Sequence, residues 1–547
     1  MDSDGAASGA PHAPAAGRDP SEELRRLRAE VGQLRYELSR LQDRRTVRLA
    51  LAAGELRGPA GLAGAWDAVR GRAPRRDVPG PELVAHRPPF PQLRVVSTGA
   101  GQLVAGACIR AVLTPGDGPA VVARDRPDLL LVDGLTGWGA AALAEVVTAV
   151  RAHGGAVVSV GAAAAAAVPD ADLVVDRRGP ADERRLVVPG TVDLLAATPA
   201  GAEPAAAHRR DDPATVTLAQ ARRQPVVVLP EVAAIGVDRC LALLAAGAVV
   251  VAGHDAVLAD ALGGVDAATA AAVLGPPGED TAEREARVAT LLADDDLRHR
   301  LSVRLRRHVQ RRCSTRVALE RVVAALELAD PPSRRISVLL ATRRPERVGQ
   351  VLRDLTGQHH DDVEVILLPH GDAPLPEGLA VDGLRVRRVA AERPLGAVLD
   401  AGLELVTGAY VAKVDDDDRY GTEHLGDLLG ALQVSGAAIV GRRRHGVYVE
   451  EHDRTVVPGP GGEERYENHL PGGTLLLPAD TMRATRWRHV PNAVDTELLR
   501  SLHLAGGSAY TSHRYGYVRV RHRDHTWAGE QWDGATTPGF DRTLLEA

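Results

Sequence analysis

Short aliphatic runs that alternate with helical stretches constrain the fold of this chain more than any other feature. Such runs, bounded by turn residues, are typical of buried parallel strands. In the first half, strands are predicted at 93–96, 129–132, 156–160, 173–175, 185–188, 226–229 and 248–251. Helices are predicted there at 139–153, 237–246, 283–292 and 297–328. This alternation predicts an α/β fold for residues 92–330.

A second α/β series begins after Asp330-Pro331-Pro332, which ends a helix and marks a domain boundary. Its predicted strands are 336–340, 363–368, 410–414, 437–440 and 474–477, with helices at 347–356 and 395–406. A further helix follows residue 422, with Thr422 as its predicted N-cap. Its apolar stripe consists of Leu425, Leu428, Leu429 and Leu432. We therefore expect a second α/β domain over residues 335–547.

The amino-terminal part has a different character. Residues 1–20 are polar and rich in Ala, Gly and Pro, which predicts disorder, and residues 58–91 read as a linker. Between them, a helix over 21–57 carries a heptad seam of Leu24, Leu27, Val31, Leu34, Leu38 and Leu41. This seam favours a coiled-coil homodimer through residues 21–45. The alternative is one amphipathic helix lying on the body of the protein.

Composition excludes several classes of partner. The 547 residues suffice for two to four domains, and a net charge of -6 without a basic block gives no reason to expect nucleic acid binding. Three widely spaced cysteines, Cys108, Cys240 and Cys313, favour a reducing compartment. No apolar stretch reaches the roughly 18 residues of a membrane helix, and no signal sequence is evident. We expect a cytoplasmic protein, with peripheral association at the inner membrane face left open.

The only lysine, Lys413, precedes four consecutive aspartates, Asp415, Asp416, Asp417 and Asp418, at the end of the strand 410–414. In an extended backbone, Lys413, Asp415 and Asp417 share one face, and Asp416 and Asp418 share the other. Carboxylates at the carboxyl end of such a strand can hold Mg²⁺ or Mn²⁺, which take oxygen ligands and substrate phosphates. The sequence therefore predicts a divalent-cation site here.

The acidic run has two other interpretations. A solvated acidic turn without function is the ordinary meaning of a charge run. A calcium-binding EF-hand loop is rejected, because Arg419, Tyr420 and Gly426 stand where a ligand, a glycine and a glutamate are required.

A glycine cluster after the first strand is a weaker signal. Gly99, Gly101 and Gly106 suggest a dinucleotide-binding loop, but Val104 stands where the third glycine is required.

The order of elements in residues 335–530 resembles the family 2 glycosyltransferases of GT-A fold. The resemblance rests on a strand, the turn Thr342-Arg-Arg-Pro345, a helix, a second strand, and Gly408-Ala-Tyr-Val followed by the aspartates. It implies a nucleotide-diphospho-sugar transferase fold and a hexosyltransferase-type activity. The implied cofactor is Mg²⁺ or Mn²⁺, held by Asp417 and Asp415.

The resemblance also implies roles for further residues. Thr342, Lys413, Asp415 and Asp416 would bind the donor, and Lys413 would balance the cluster or contact the pyrophosphate. Asn492-Ala-Val-Asp495 is similar to the segment that carries the catalytic base, with Glu497 in reserve. Gly472, Gly473 and Thr474 resemble the loop near the acceptor. Inversion at the sugar carbon requires one base, for which Asp495 is the candidate.

Histidines and arginines near the carboxyl terminus are further candidates. His525, close to His522 and Asp524, is considered as a metal ligand or phosphate contact, with a surface role as the alternative. Arg521 and Arg523 suit phosphate recognition by their charge.

Two positions depart from the family pattern. Pro369-His-Gly-Asp372 stands where the family has an acidic pair near the nucleotide base, and Asp400 replaces a common asparagine. The identity of the donor therefore stays open.

Residues 93–330 bear a fainter similarity to GT-B glycosyltransferases of family 4. It rests on Val187-Val-Pro-Gly-Thr-Val-Asp193 and on a helix and strand over 240–251. The glutamates that would hold the donor ribose correspond to Ala234 and Ala242. This implies a degenerate, non-catalytic Rossmann-like region.

Together these features predict an enzyme that transfers a sugar from a nucleotide-sugar to a glycan or lipid-linked acceptor of the cell envelope. The competing hypothesis is a non-catalytic coiled-coil scaffold with degenerate sugar-nucleotide-binding folds. A third hypothesis makes the GT-B-like half the active one.

Overall fold

The computed structural model describes residues 90–99, 108–176, 184–188, 226–229, 231–377, 379, 383–459, 461–490, 493–522 and 534–547. The predicted disordered start, the coiled-coil helix and the linker as far as residue 89 lie outside these ranges. Within them, no helix is long and apolar enough to cross a membrane.

The first half opens with a six-stranded parallel sheet in the order β2-β1-β3-β4-β5-β6. The strands are β1 (Phe90–Ser97), β2 (Cys108–Val112), β3 (Leu129–Val132), β4 (Ala156–Val160), β5 (Leu173–Asp176) and β6 (Arg185–Val187). The helices are α1 (Gly118–Asp125), α2 (Ala140–Arg151) and α3 (Ala162–Ala167). Every residue of β3 is buried, as expected for a central parallel strand.

Two further parallel strands, β7 (Val226–Leu229) and β8 (Val249–Ala252), form a separate sheet. Around them lie a 3₁₀ turn (Val232–Ala234) and the helices α4 (Val237–Ala245), α5 (Ala256–Ala261), α6 (Ala267–Val273), α7 (Thr281–Ala293), α8 (Asp295–Arg312) and α9 (Thr315–Ala325). The predicted single helix over 297–328 is wrong. It breaks at Ser314, whose hydroxyl accepts a hydrogen bond from Val317 N and caps α9.

The second half is built on a mixed eight-stranded sheet in the order β11-β10-β9-β12-β18-β14-β19-β17. The strands are β9 (Ile336–Thr342), β10 (Val363–Pro369), β11 (Arg385–Val386), β12 (Tyr410–Val414), β14 (Ile439–Gly441), β17 (Arg465–Tyr466), β18 (Leu475–Pro478) and β19 (Ala509–Thr511). The first four strands of this order are parallel, and β18 pairs antiparallel with both of its neighbours.

A second sheet in this half has the order β13-β20-β15-β16-β21. Its strands are β13 (Arg419–Tyr420), β15 (Gly446–Val449), β16 (Arg454–Pro458), β20 (Tyr517–Arg521) and β21 (Gly534–Pro538). The helices are α10 (Val348–Thr356), α11 (Leu395–Leu403), α12 (His424–Ser435), α13 (Ala479–Thr485) and α14 (Val494–Leu504). Four 3₁₀ turns are Pro345–Arg347, Glu450–His452, Gly472–Thr474 and Arg542–Leu545.

Most predicted strand positions are confirmed, because each strand is a local apolar run. The helix after the aspartates buries all four leucines of its predicted stripe. Thr422 is not its N-cap, however, because α12 begins only at His424 after the N-cap residue Glu423. The Thr422 carbonyl instead accepts a hydrogen bond from His359 N.

Helix α8 of the first half packs against the second half through buried charges. The Arg307 guanidinium binds both oxygens of Asp427 on α12, at 2.8 and 3.0 Å. His513 Nε2 and Arg442 Nη2 lie 3.1 and 3.5 Å from the same carboxylate. Burial alone would raise the pKa of Asp427, but Arg307 and His513 hold this pKa well below its usual range. Asp427 is therefore the shared anion of the contact between the two halves.

Replacement of Asp427 by alanine should destabilise the protein strongly. Arg307 and Arg442 would lose their common carboxylate inside the protein, and such a loss typically costs about 3–5 kcal/mol. We expect a lower urea midpoint by far-ultraviolet circular dichroism. The matched control is Asp480→Ala, whose side chain is 84% exposed beside Arg483 and should change the free energy of unfolding by less than about 0.5 kcal/mol. Equal midpoints for the two variants would contradict this account.

Candidate active site

The aspartate run lies at the carboxyl edge of the central parallel strands. Strand β12 ends at Val414, which pairs with Leu340 of β9, and Lys413 pairs with Leu475 of β18. The chain then turns through Asp416 and Asp417 before it enters β13. Because the backbone turns there, the side chains of the run do not alternate between two faces.

The observed partners correct the predicted arrangement of the aspartates. Lys413 Nζ lies 2.7 Å from Asp415 Oδ1, as a shared face predicts. Asp417, however, is grouped with Asp416, since Arg344 Nη2 lies 2.6 Å from an oxygen of each. Thr342 donates its hydroxyl proton to Asp416 Oδ2 over 2.5 Å. The predicted common face of Asp415 and Asp417 is therefore wrong.

Asp418 is the most enclosed carboxyl group of the run. It accepts hydrogen bonds from the Tyr517 hydroxyl at 2.5 Å and from Val520 N at 2.9 Å. Burial, together with repulsion from Asp415 and Asp417, raises the pKa of Asp418 to about 8. Asp418 is therefore largely protonated at neutral pH and anchors the turn to β20.

Tyr420 holds the turn from the other side. Its hydroxyl accepts a hydrogen bond from Asp415 N at 2.8 Å and donates one to the Gly473 carbonyl at 3.1 Å. The Tyr420 and Tyr517 rings lie 5.5 Å apart. Sequence reasoning did not identify Tyr420, Tyr517 or Arg344 as site residues. The arginine was visible in the turn after β9, whereas Tyr517 carried no local signal.

The candidate base Asp495, in the first turn of α14, lies close to this cluster. Its Oδ1 atom is 3.6 Å from Lys413 Nζ, and its side chain is 29% exposed. Among the described residues, Asp495 Oδ1 has no hydrogen-bond partner. Burial raises the pKa of Asp495, repulsion from Asp415 adds to this shift, and Lys413 opposes it. Glu497, the reserve candidate, lies on the same helix.

The loop before β18 requires glycine at two positions because the site residues lie so close. A Cβ atom on Gly472 would stand 1.9 Å from Asp495 Oδ2, and one on Gly473 would stand 2.9 Å from both Asp415 Oδ2 and Asp418 Oδ2. The side chain of Thr474 is buried, and its hydroxyl accepts from Arg442 N at 2.9 Å and donates to the Pro471 carbonyl at 3.0 Å. Backbone at 472–473 therefore borders the site, while Thr474 fixes the loop.

The two departures from the family pattern have structural explanations. His370 accepts a hydrogen bond from Arg343 Nε at 3.0 Å. A neutral histidine and a cationic arginine therefore stand where the family has acidic residues. Asp400 is buried and accepts from Arg486 Nε, Trp487 N and His489 Nε2, each at 3.1 Å. It thereby fixes the segment that precedes α14. His525 and Arg523 lie outside the described residues.

The residues present fit a divalent cation that keeps part of its shell for water or phosphate. Lys413 and Arg344 form ion pairs with Asp415, Asp416, Asp417 and Asp495, and burial together with repulsion from Asp415 and Asp417 raises the pKa of Asp418. No group of three or more His, Cys, Asp or Glu side chains suited to a metal occurs in the described part of the chain. Mg²⁺, however, is often held by one or two carboxylates plus substrate phosphates.

The glycines after β1 serve close packing in the structure. The Gly99 amide donates to Asp133 Oδ1 at 2.8 Å, and a Cβ atom on Gly99 would stand 2.9 Å from Gly134 Cα. Gly101 and Gly106 lie outside the described residues. At the carboxyl end of β8, Arg287 binds the Ala252 carbonyl at 3.0 Å and Glu279 at 2.7 Å. The charges of Arg287 and Glu279 at that edge of the sheet are thus paired with each other.

Residues 338–488 match the model of the glycosyl transferase family 2. This confirms the predicted resemblance for a segment that spans β9 through α13 and includes the aspartate run. It supports a glycosyltransferase whose family commonly uses divalent cations. The GT-B resemblance of the first half stays a prediction.

Part of the chain is also similar to solved structures of TarS from S. aureus. One TarS crystal structure is 13% identical, with a TM-score of 0.27 and coverage of 34% of this chain and 37% of that one. The complex of TarS 1-349 with UDP-GlcNAc is 14% identical, with a TM-score of 0.27 and coverage of 35% and 60%. The chain thus covers less than two thirds of these structures. No curated protein matches the chain.

The raised pKa of Asp418 predicts how stability depends on pH. The folded protein binds a proton at Asp418 that the unfolded chain loses near pH 4, so this carboxyl makes stability fall as the pH rises from about 4 to about 8. Asp418→Asn should flatten this decline, measured as the thermal midpoint between about pH 5 and pH 8 with a chelator present. The exposed Asp480→Asn should keep the parent slope. Parallel slopes for all three proteins would contradict the assignment.

Proposed function

We propose that residues 335–547 transfer a sugar from a nucleotide-diphospho-sugar donor to a hydroxyl group of a glycan or lipid-linked cell-envelope acceptor. The reaction is metal-dependent and inverts the sugar carbon. The observation that carries the proposal is the position of Lys413. Its ammonium group lies 2.7 Å from Asp415 in the aspartate run and 3.6 Å from Asp495 on α14. The ammonium group of Lys413 therefore lies between a candidate cation ligand, Asp415, and the candidate base, Asp495.

On the donor side, Asp417 would hold Mg²⁺ or Mn²⁺ together with the phosphates of the donor, with Asp415 as the second candidate ligand. The cation would supply stabilisation of the negative charge that develops on the leaving nucleoside diphosphate. Lys413 adds a fixed positive charge beside Asp415. The hydrogen bond between Thr342 and Asp416 holds these two proposed donor-binding residues together.

On the acceptor side, Asp495 removes the proton from the attacking hydroxyl group. Its raised pKa makes it a stronger base than an ordinary exposed aspartate, and Lys413 keeps it ionised and oriented. Asp495 Oδ1 is free of hydrogen-bond partners among the described residues, so it can accept this proton. The backbone of Gly472 and Gly473 lies directly beside Asp495 and Asp415, on the side proposed for the acceptor.

The proposal includes a cellular setting. Cys240 and Cys313 are free, buried thiols, which agrees with a reducing compartment such as the cytoplasm. Association with the inner membrane face and dimerisation through residues 21–45 belong to the same proposal.

The direct test is a thermal-shift screen of nucleotide sugars with Mn²⁺, followed by transfer and hydrolysis assays with the binders. A ligand that binds the folded state raises the melting temperature. The full chain is the right material, because Arg307 of the first half binds Asp427 of the second. We expect Asp417→Ala to lose metal-dependent activity. Absence of transfer and hydrolysis, with unchanged nucleotide binding by Asp417→Ala, would favour the scaffold hypothesis.

Asp495→Asn should abolish turnover while donor binding survives. Loss of a general base typically costs about 10²- to 10⁴-fold in rate. The amide has nearly the same shape as the carboxyl group, so the Mn²⁺-dependent thermal shift with the donor should stay close to that of the parent. Asp480→Asn, at an exposed site, should retain full kcat. A kcat for Asp495→Asn within about threefold of the parent would exclude Asp495 as the base.

A further inference from the structure

Arg344 binds the aspartate run in an unusual way. It contacts Asp416 Oδ1 and Asp417 Oδ2 through the same nitrogen, Nη2, at 2.6 Å each. Among the described residues, neither Nε nor Nη1 of Arg344 donates a hydrogen bond, in contrast to Nη2. The side chain is 36% exposed, so the guanidinium lies at the border between the aspartate run and solvent.

Other arginines of the protein use their guanidinium groups more fully. Arg307 binds both oxygens of Asp427 through Nε and Nη2, in the two-pronged geometry that makes arginine–carboxylate pairs strong. Arg343, the neighbour of Arg344, donates from Nε to His370 and from Nη2 to the Ala391 carbonyl. Arg344 is thus held by one nitrogen and can be displaced more easily than Arg307.

The charges around Arg344 show what would displace it. Asp417 is one of the two candidate cation ligands, and Arg344 takes one of its oxygens. A divalent cation at Asp417 would repel the guanidinium, because two positive groups would then share one carboxylate. The donor brings a diphosphate, which is the kind of anion that a guanidinium binds through two nitrogens.

We propose that Arg344 is an exchangeable counter-ion of this site. Without ligands it neutralises Asp416 and Asp417 through Nη2. When the cation and the donor bind, it releases Asp417 to the cation and binds the diphosphate of the donor. This inference rests on the proposed donor chemistry, and it goes beyond that proposal by assigning Arg344 opposite effects on the two ligands.

The test measures the two ligands separately in the full-length protein. Mn²⁺ binding without donor is followed by the electron paramagnetic resonance signal of free Mn²⁺, and only binding that Asp417→Ala removes is counted. Inorganic pyrophosphate at saturating Mn²⁺ then serves as the diphosphate probe, measured by calorimetry. Neither assay needs catalytic turnover.

Arg344→Met should shift the two affinities in opposite directions. Because the competing guanidinium is gone, Mn²⁺ should bind about three- to fivefold more tightly, the upper part of the effect of removing one partly exposed ion pair. Pyrophosphate should bind about five- to tenfold more weakly, because its arginine partner is absent. Arg344→Lys, which keeps the charge, should bring both affinities back toward the parent values.

The matched control is Arg343→Met, which removes the adjacent arginine but no contact to a carboxylate of the run. It should leave both affinities within about twofold of the parent. Unchanged or weaker Mn²⁺ binding in Arg344→Met would overturn the proposal, as would equal effects of Arg343→Met. Sugar transfer by the parent together with unchanged Mn²⁺ affinity in Arg344→Met would reject the exchange and keep the proposed function. If the two affinities shift in opposite directions as predicted but the parent protein transfers no sugar, the exchange by Arg344 is kept and the proposed function is rejected.

Discussion

The ion pairs of one buried ammonium group organise the candidate site. Lys413 is only 5% exposed, so its charge has lost most of its water and depends on Asp415 and Asp495 for compensation. Removing one partner of such a buried pair is strongly unfavourable. This requirement ties the end of β12 to the start of α14, although the two elements are about 80 residues apart in the sequence. It also explains the close approach of Gly472, since any side chain there would separate Asp495 from Lys413.

The site depends in turn on the layer behind it. Tyr420 and Tyr517 hold the turn, and the His424 ring lies 4.9 Å from Tyr420 and 6.0 Å from Tyr517. Arg442 is fully buried and donates a hydrogen bond to His424 Nδ1 at 3.4 Å. It also forms an ion pair with Asp427, the carboxylate that Arg307 of α8 binds. A continuous set of packed polar groups thus joins the aspartate turn to the helix that the first half contributes. Loss of the first half would expose Asp427 and its partners to water, so we regard its docking as part of the support of the site.

Sequence reasoning succeeded where the signal is local. The apolar runs located β3, β4, β7 and β12 at their observed bounds, because a buried strand needs little besides its own residues. The arrangement of the aspartates failed, because alternation assumes an extended backbone and the chain turns after Val414. Arg344 lies 73 residues before Asp417, and Tyr517 lies 100 residues after it. Arg344 pairs with both Asp417 and Asp416. Only the tertiary fold brings these groups together. The helix breaks at Ser314 because this residue caps α9 by accepting a hydrogen bond from Val317 N. Every helical sequence has such a backbone N–H group, so the sequence alone did not mark the break.

The chain uses arginine almost everywhere for positive charge, yet residue 413 is its only lysine. The space around the ammonium group gives a physical reason. A Cβ atom on Gly472 would already lie 2.9 Å from Lys413 Nζ, and Asp415 and Asp495 approach Nζ from two separate sites. An ammonium group is compact and donates in three directions, whereas a guanidinium is larger and its donors lie in one rigid plane. Arginine at 413 would therefore press on the loop at 472 or abandon one carboxylate, and with it the link between the aspartate run and Asp495.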